Sequence, residues 1–346
     1  MRMNRLVATL LLLSIPLIGC IAPTAVQPAL TGLDPSNSPT RTPFAPAAPT
    51  DSLPSTATPA APTASPTPSN PWGNFAGPIE QSAIEIPPPV PEAQQPPTTV
   101  NLILLGTDTR PTETVGRTDT MMIVILDPVG GTATLISIPR DLYVYLPGFR
   151  VDRINTADAR GGTEMLTQTI LYNFGIPLDH WARTNFTSFM TAVDLLGGLD
   201  VQAGGYTSDE CGGTYMTFAP GVHHMNGFTA LCYVRMRKAS SDYDRLRRQQ
   251  EVLDAMFSRI LSLDGLARVP DLFAQFGSLV QTDLQLDDLL PLVPLAARLA
   301  TDPSRIHRFS IDTSMATGWR VPYSGASVQL PNREAIQAML QQALNP

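Results

Sequence analysis

The sequence predicts an α/β or α+β domain around a mixed sheet over residues 100–346, preceded by a long segment without regular structure. Three observations carry this. Apolar runs of strand length occur at Val100–Leu105, Met121–Leu126 and Thr132–Ile138. Segments with helical spacing, such as Thr163–Phe174 and Leu246–Leu263, interleave with strands rather than following them as a block. Proline is concentrated before residue 100: 20 of the chain's 34 prolines lie between Ile21 and Thr99, with only 6 charged residues. Proline that dense has no place in helix or sheet, because it fixes φ and lacks the N–H.

At the N-terminus, Arg2 and Arg5 precede an apolar run, Leu6–Ile18. Thirteen residues are too short to cross a hydrocarbon core of ~30 Å as a helix, and match the apolar region of a signal peptide. The run ends in Leu17-Ile18-Gly19-Cys20, which resembles the bacterial lipobox, whose Cys is acylated and becomes the mature N-terminus. An ordinary signal peptide with an incidental Cys20 is the alternative. The lipobox reading expects a lipoprotein held at the outer face of the cell membrane, since two or more acyl chains anchor stably. Residues 21–99 read as a disordered or polyproline-II stalk, too poor in large apolar groups to offset the entropy of ordering.

From Val100 the order signals begin. Asp127-Pro128 and Gly130-Gly131 join the second and third strands in a hairpin-like turn, and Leu142–Leu146 is expected to continue the sheet. A helix over Thr163–Phe174 stops at Gly175, and another over Phe186–Leu196 stops at Gly197-Gly198. Asn226 caps a third that runs to Val234. Leu246–Leu263 is a long amphipathic helix, and Leu284–Ala300 another, interrupted at Pro291 and Pro294. Arg305–Ile311 reads as a late strand and Arg333–Leu344 as a closing helix. The net charge of −7 argues against a nucleic-acid binder.

Three clusters carry chemistry. In the first, Gly106-Thr107-Asp108-Thr109-Arg110 and Gly116-Arg117-Thr118-Asp119-Thr120 set an Asp beside an Arg at two strand ends. Two carboxylates joined by a short loop can hold Mg²⁺, which takes one or two carboxylates plus substrate phosphate oxygens; a pair of surface turns is the simpler reading. The second is Pro139-Arg140-Asp141 at a strand end, where a fixed arginine fork could clamp a phosphate. Arg153 and Asn155 follow. The third has six cations from Arg235 to Arg248 against Asp242 and Asp244. Arg235 and Arg237, two apart, cannot share one helix face, so the chain should leave the helix there. Arg245, Arg248 and Gln249 share one face at the start of the next helix. Cations there oppose the helix dipole unless an anion is bound, so the cluster reads as a phosphate site, a solvated basic face or an anchor for acidic lipid headgroups.

Together these segments resemble the LytR–CpsA–Psr family of cell-wall glycopolymer transferases. The matching stretches are GTDTR at 106–110, GRTDTMM at 116–122, SIPRDLYV at 137–144, DRIN at 152–155, GG at 161–162, DLLGGLDV at 194–201, GVHHMNGFTALCYVRMR at 221–237 and RLRRQQEVL at 245–253. They run in family order across roughly 101–263. The resemblance implies an α/β/α sandwich with an apolar pocket for a prenyl tail. It also implies Mg²⁺-dependent transfer of a phospho-glycan from a polyprenyl-pyrophosphate carrier to a peptidoglycan hydroxyl. By motif, Asp108 and Asp119 would hold the metal, and Arg117, Arg140, Arg235, Arg237, Arg245, Arg248 and Gln249 would surround the pyrophosphate. Asp141 would orient an arginine or assist the incoming hydroxyl. Asp244 stands where members of the family often carry Gly, which weakens the local positive field or pairs a neighbouring arginine.

Cys211 and Cys232 form an even pair once Cys20 is acylated, and Gly212-Gly213 suggests a loop stapled to a helix, with free thiols as the alternative. His223 and His224 read as loop packing rather than metal ligands. Two other functions fit the same residues. A non-catalytic polyprenyl-phosphate binder would gain nothing from two carboxylates in its site. A polyprenyl-pyrophosphate phosphatase would use water in place of the sugar hydroxyl.

Overall fold

The computed structural model describes residues 77–108, 116–237 and 242–345. Cys20, most of the stalk, Thr109, Arg110 and Lys238 lie outside the described residues. The first strands are β1 (Val100–Thr107), β2 (Thr118–Asp127), β3 (Thr132–Ser137), β4 (Tyr143–Leu146) and β5 (Arg150–Arg153). Helix α1 (Ala157–Phe174), β6 (His180–Asn185) and α2 (Phe186–Leu195) follow. Then come β7 (Leu199–Ala203), β8 (Thr207–Cys211), β9 (Thr214–Phe218), β10 (Gly221–Met225), α3 (Gly227–Arg235) and α4 (Asp242–Ser262). The C-terminal part holds α5 (Val269–Phe276), β11 (Gln281–Thr282), α6 (Leu286–Leu289), α7 (Val293–Thr301), β12 (Ile306–Ser310), β13 (Ala316–Arg320), β14 (Ser327–Pro331) and α8 (Arg333–Leu344).

Six strands form one mixed sheet in the order β11-β6-β1-β2-β3-β12. The β1–β2 and β2–β3 pairs are antiparallel, whereas β6 and β12 join in parallel. Side chains alternate across the pleat, so the register assigns each to a face. Ile103, Ile123 and Ile136 lie on one face and form the main core with Leu166 and Ile170 of α1 and Ile336 and Leu340 of α8. Leu104, Met122 and Ser137 lie on the other, where Gln250 of α4 donates to the Ser137 hydroxyl at 2.9 Å. Helices on both faces make the α/β/α sandwich. A second core gathers Val193, Val201, Tyr233 and Val252 beneath α4, with β7, α2 and α3.

Two expectations change. Leu142–Leu146 does not continue the sheet. β4 pairs with β5 in a separate hairpin, because the chain turns at Pro139–Leu142 and the free edge of β3 is taken by β12. Residues 77–99, placed in the stalk by composition, lie on the domain. Val90 N–H donates to Tyr172 C=O and Ala93 N–H to Gly175 C=O, while Ile84 and Ile86 pack beside Tyr143 and Tyr172. Prolines suit such an extended strap, which asks little of backbone donors, and Ile84, Ile86 and Val90 supply its apolar contacts. Gly175 serves twice: it ends α1 at φ 71°, and a Cβ there would collide with the strap's Pro91 carbonyl. The helix expected over Leu284–Ala300 is broken at Pro291 as its prolines implied, by a 3-10 turn at Leu290–Leu292 between α6 and α7, while Pro294 sits in the first turn of α7.

Candidate active site

The site begins with a β-bulge. Gly106 opposes Thr120 and Thr107 opposes Thr118, so Asp119 is an extra residue in β2. In a regular strand, Asp119 and Thr120 would face opposite sides; here both line one cavity. Glycine at 106 allows the close approach, since a Cβ would stand 3.0 Å from that of Thr120. Beside the bulge, Asp108 Oδ1 accepts the Arg117 N–H at 2.7 Å, and the Arg117 carbonyl accepts from Asp108 N at 3.2 Å. This closes the base of the loop that joins the two acid-bearing strand ends.

Arg140 reaches this point from the end of β3. Its Nη1 donates to Asp119 Oδ1 at 2.5 Å. Its Nε lies 3.6 Å from Asp141 Oδ2, and Asp141 Oδ1 lies 3.5 Å from Arg153 Nε. Asp119, Arg140, Asp141 and Arg153 thus form a line of alternating charge, anchored where Arg153 donates to Ser327 C=O at 2.8 Å. Asn155 locks the backbone: its N–H donates to Arg140 C=O, and its own carbonyl accepts the Thr118 hydroxyl.

The basic cluster arrives from the opposite side. Asn226 caps α3 as expected, accepting the Thr229 N–H at 2.9 Å. The helix ends at Arg235 and Met236 turns extended, which separates Arg235 and Arg237 as their spacing required. The Arg235 guanidinium sits 4.4 Å from the centre of the Phe186 ring, a cation–π contact. On α4, Arg245 and Gln249 both face the cavity, and Gln249 Nε2 donates to Thr120 Oγ1 at 2.8 Å, bridging helix and sheet.

The cavity between these elements holds about 440 Å³. One part is apolar, walled by Leu104 and Met122 of the sheet, Phe189 of α2, and Val252, Leu253 and Met256 of α4. The polar part collects Asp119, Arg140, Arg235, Arg237, Arg245 and Gln249. Six of the residues singled out in sequence therefore share one site.

Four others are placed differently. Arg248 does not face the cavity: it is 0% exposed, and its guanidinium donates to the carbonyls of Tyr233 and Met236 at 3.0 and 2.5 Å. Burial lowers its pKa, yet guanidinium ionises so far above neutrality that it stays charged. Its position on α4 turns it towards α3, so it holds the backbone behind the site. Arg117 is exposed and braces Asp108 through its backbone. Asp108 and Asp141 border the site without lining the cavity. Beyond their Oδ1 bonds, Asp108 and Asp119 keep Oδ2 clear of protein donors among the described residues. Carboxylates are the ligand type that a hard divalent cation takes together with phosphate oxygens and water. Among the described residues, no group of three or more His, Cys, Asp or Glu could hold a metal. His223 and His224 lie in β10, bonded to Ala219 C=O and Asp200.

Sequence reasoning missed the β6–α2 contribution: Arg183, Thr184, Asn185 and Phe186 all line the cavity. A signal existed, since Asn185 caps α2 by accepting the Ser188 N–H at 2.9 Å. Arg183 pairs with Asp158, whose carboxyl pKa is raised by burial and pulled back only in part by Arg183. Cys211 and Cys232 form a disulfide, with Cα atoms 5.8 Å apart, tying β8 to α3.

The profile of the LytR_cpsA_psr family matches residues 79–345. The polyisoprenyl-teichoic acid–peptidoglycan teichoic acid transferase TagT of Bacillus subtilis strain 168 is 31% identical over 255 residues, 71% of this chain and 76% of that one. The corresponding TagU of Oceanobacillus iheyensis is 33% identical over 208 residues, 56% of this chain; the match spans 62% of TagU, under two thirds of its length. Among solved structures, B. subtilis TagV superimposes with a TM-score of 0.61 at 25% identity, covering 72% of this chain and 98% of TagV. A structure of TagT bound to LI-WTA gives 0.56 at 27% identity, covering 72% and 90%.

Proposed function

Because this chain belongs to the LytR–CpsA–Psr family, we propose that it transfers a phospho-linked glycopolymer from a polyprenyl-pyrophosphate carrier to a peptidoglycan hydroxyl, releasing polyprenyl monophosphate. One observation carries the reading: a single cavity joins an apolar wall to a polar end bearing four arginines that sequence reasoning had singled out. A polyprenyl pyrophosphate has that same division. Its tail suits the space between Leu104, Met122 and α4, and its diphosphate suits Arg140, Arg235, Arg237 and Arg245.

The acceptor hydroxyl oxygen attacks the phosphorus that bears the glycan, its proton passes to solvent, and the bond to the bridging pyrophosphate oxygen breaks so that polyprenyl monophosphate leaves. Little covalent chemistry is asked of the protein; alignment and stabilisation of the departing charge are. Arginines fixed before the substrate arrives supply both. Arg140 is held against Asp119, and Arg235 against Phe186. Gln249, bonded to Thr120, keeps α4 in register with the bulge. Asp108 and Asp119 would hold Mg²⁺, which when bound neutralises phosphate oxygens. An acylated Cys20 would keep the chain at the outer membrane face, where its carrier lies; among the described residues, no helix is long and apolar enough to cross a membrane.

The test incubates the full chain with a polyprenyl-pyrophosphate-linked sugar, Mg²⁺ and peptidoglycan fragments, and follows polyprenyl monophosphate by mass spectrometry. Metal-dependent release with a modified acceptor, lost in Asp119→Ala and Arg140→Ala, supports the transferase. Release without acceptor modification points to a phosphatase. Tight binding without turnover points to a binder.

A further inference from the structure

We propose that strand β8 is a positioning element for the arginines at the polar end of the cavity, with Asp209 its central residue. This rests on reading that end as a diphosphate site. Three residues of β8, alternating along one face as the pleat requires, each meet a different point on the segment 232–237. Thr207 Oγ1 contacts Met236 Sδ at 3.7 Å. Asp209 Oδ2 accepts the backbone N–H of Arg237 at 2.8 Å. Cys211 is bonded to Cys232.

The segment so held is the one that leaves α3 and carries Arg235 and Arg237 to the cavity. Chain just past a helix end has lost its regular hydrogen bonds and would otherwise sample many conformations. Here its backbone is fixed from two sides. Asp209 takes the Arg237 N–H, and Arg248 donates to the Tyr233 and Met236 carbonyls. All these contacts use backbone, Met236 sulfur or Cys232.

Asp209 itself is buried at 7% exposure, with its other oxygen accepting the Glu210 N–H at 2.8 Å. Burying a carboxylate costs solvation unless its partners compensate. A carboxylate placed here sets the Arg237 backbone through its N–H, and Arg237 lines the cavity. Arginines fixed in advance bind a diphosphate without a further ordering cost on arrival. Asp209 therefore acts through Arg237, as a positioning residue.

The test measures binding of geranyl pyrophosphate to the full chain by calorimetry, with far-UV circular dichroism to confirm folding. Asp209→Ala should weaken binding roughly tenfold, the scale of losing one charge-assisted hydrogen bond, and the Cys211→Ser/Cys232→Ser variant should weaken it too. Asp209→Asn, which keeps one acceptor oxygen, should recover most of the loss. In a double-mutant cycle, Arg237→Ala should cost much less in the Asp209→Ala background than alone. Unchanged affinity in a folded Asp209→Ala protein, or fully additive losses in the cycle, would overturn the proposal. If Asp209→Ala does not fold, Asp209→Ser takes its place under the same criteria. Failure of the unmodified chain to bind geranyl pyrophosphate would instead remove the diphosphate site itself.

Discussion

Arg140 and Asp119 meet at 2.5 Å because a bulge in β2 turns the acid out of its strand's alternation and into the cavity. Both side chains keep partial solvent access, 20% and 29%. A pair so exposed contributes about 1 kcal/mol or less to stability. Its value lies in placing opposite charges where a phosphate and its counter-ion would meet. Asp119→Asn should therefore lower turnover on the order of 10²-fold, the scale seen when one preorganised electrostatic group is removed. Thermal melts should change little. A large drop in melting temperature with turnover intact would make the pair structural only.

Arg248 and Arg235 should part company under the same kind of substitution. Arg248 is fully buried and bonded to two carbonyls, whereas Arg235 is exposed above Phe186. Arg248→Met leaves those carbonyls without that donor and should cost roughly 2–6 kcal/mol, at ~1–3 kcal/mol for each of the two buried groups left unsatisfied. Arg235→Met should stay within about 0.5 kcal/mol in stability, as surface changes do, while weakening diphosphate binding. Urea unfolding paired with geranyl pyrophosphate titration separates the two. Equal stabilities would show that Arg248 is not the brace its contacts describe.

The Cys211–Cys232 disulfide closes a loop of 21 residues in sequence separation. Restricting the unfolded chain over such a loop is worth about 3 kcal/mol. For a domain of this size, that corresponds to a melting temperature lower by roughly 6–12 °C when both cysteines become serine. Differential scanning calorimetry on the full chain reads it directly. A shift below about 2 °C would mean that Asp209 and Thr207 hold β8 without covalent help.

Much of this was legible before the fold was known, for reasons the residues explain. β1, β2 and β3 contain apolar runs of strand length, and that length announces them. Asn226 and Gly175 carry cap chemistry that is local, so α3 and α1 end where expected. That the chain leaves the helix between Arg235 and Arg237 followed from helix geometry alone. β6 was hidden, because His180–Asn185 shows no apolar alternation although it pairs with central β1. The hairpins β8–β9 and β13–β14 were hidden for a related reason: both are short and polar on one face. Arg248 was misplaced because spacing gives the angle between side chains on α4 but not which neighbour the helix meets on each side. The strap over 77–99 was misread because proline density masks the few apolar anchors, Ile84, Ile86 and Val90, that bind it to α1 and β4.

Alkaline pH should weaken the fold through buried phenols. Tyr233 donates its hydroxyl to Glu251 Oε2 at 2.6 Å, and burial followed by that carboxylate raises its pKa above the ordinary value of 10.0. Tyr143 is raised by burial and by its bond to Tyr323, and Tyr172 chiefly by burial. A group whose folded pKa lies above its unfolded one stabilises fully below the unfolded pKa. That contribution is lost as pH rises towards the folded value, because the unfolded chain releases its proton first. Stability should thus be flat up to about pH 9 and fall beyond pH 10, by at most about 1.4 kcal/mol at pH 11 for a phenol that stays protonated in the folded chain. Tyr233→Phe removes one of these groups. Glu251 keeps its ion pair with Arg247, so the charge left behind is not orphaned. Melting temperatures from pH 8 to 11 should decline less steeply for the variant than for the unmodified chain. Parallel declines would mean that Tyr233 ionises in the folded protein as it does in the unfolded one.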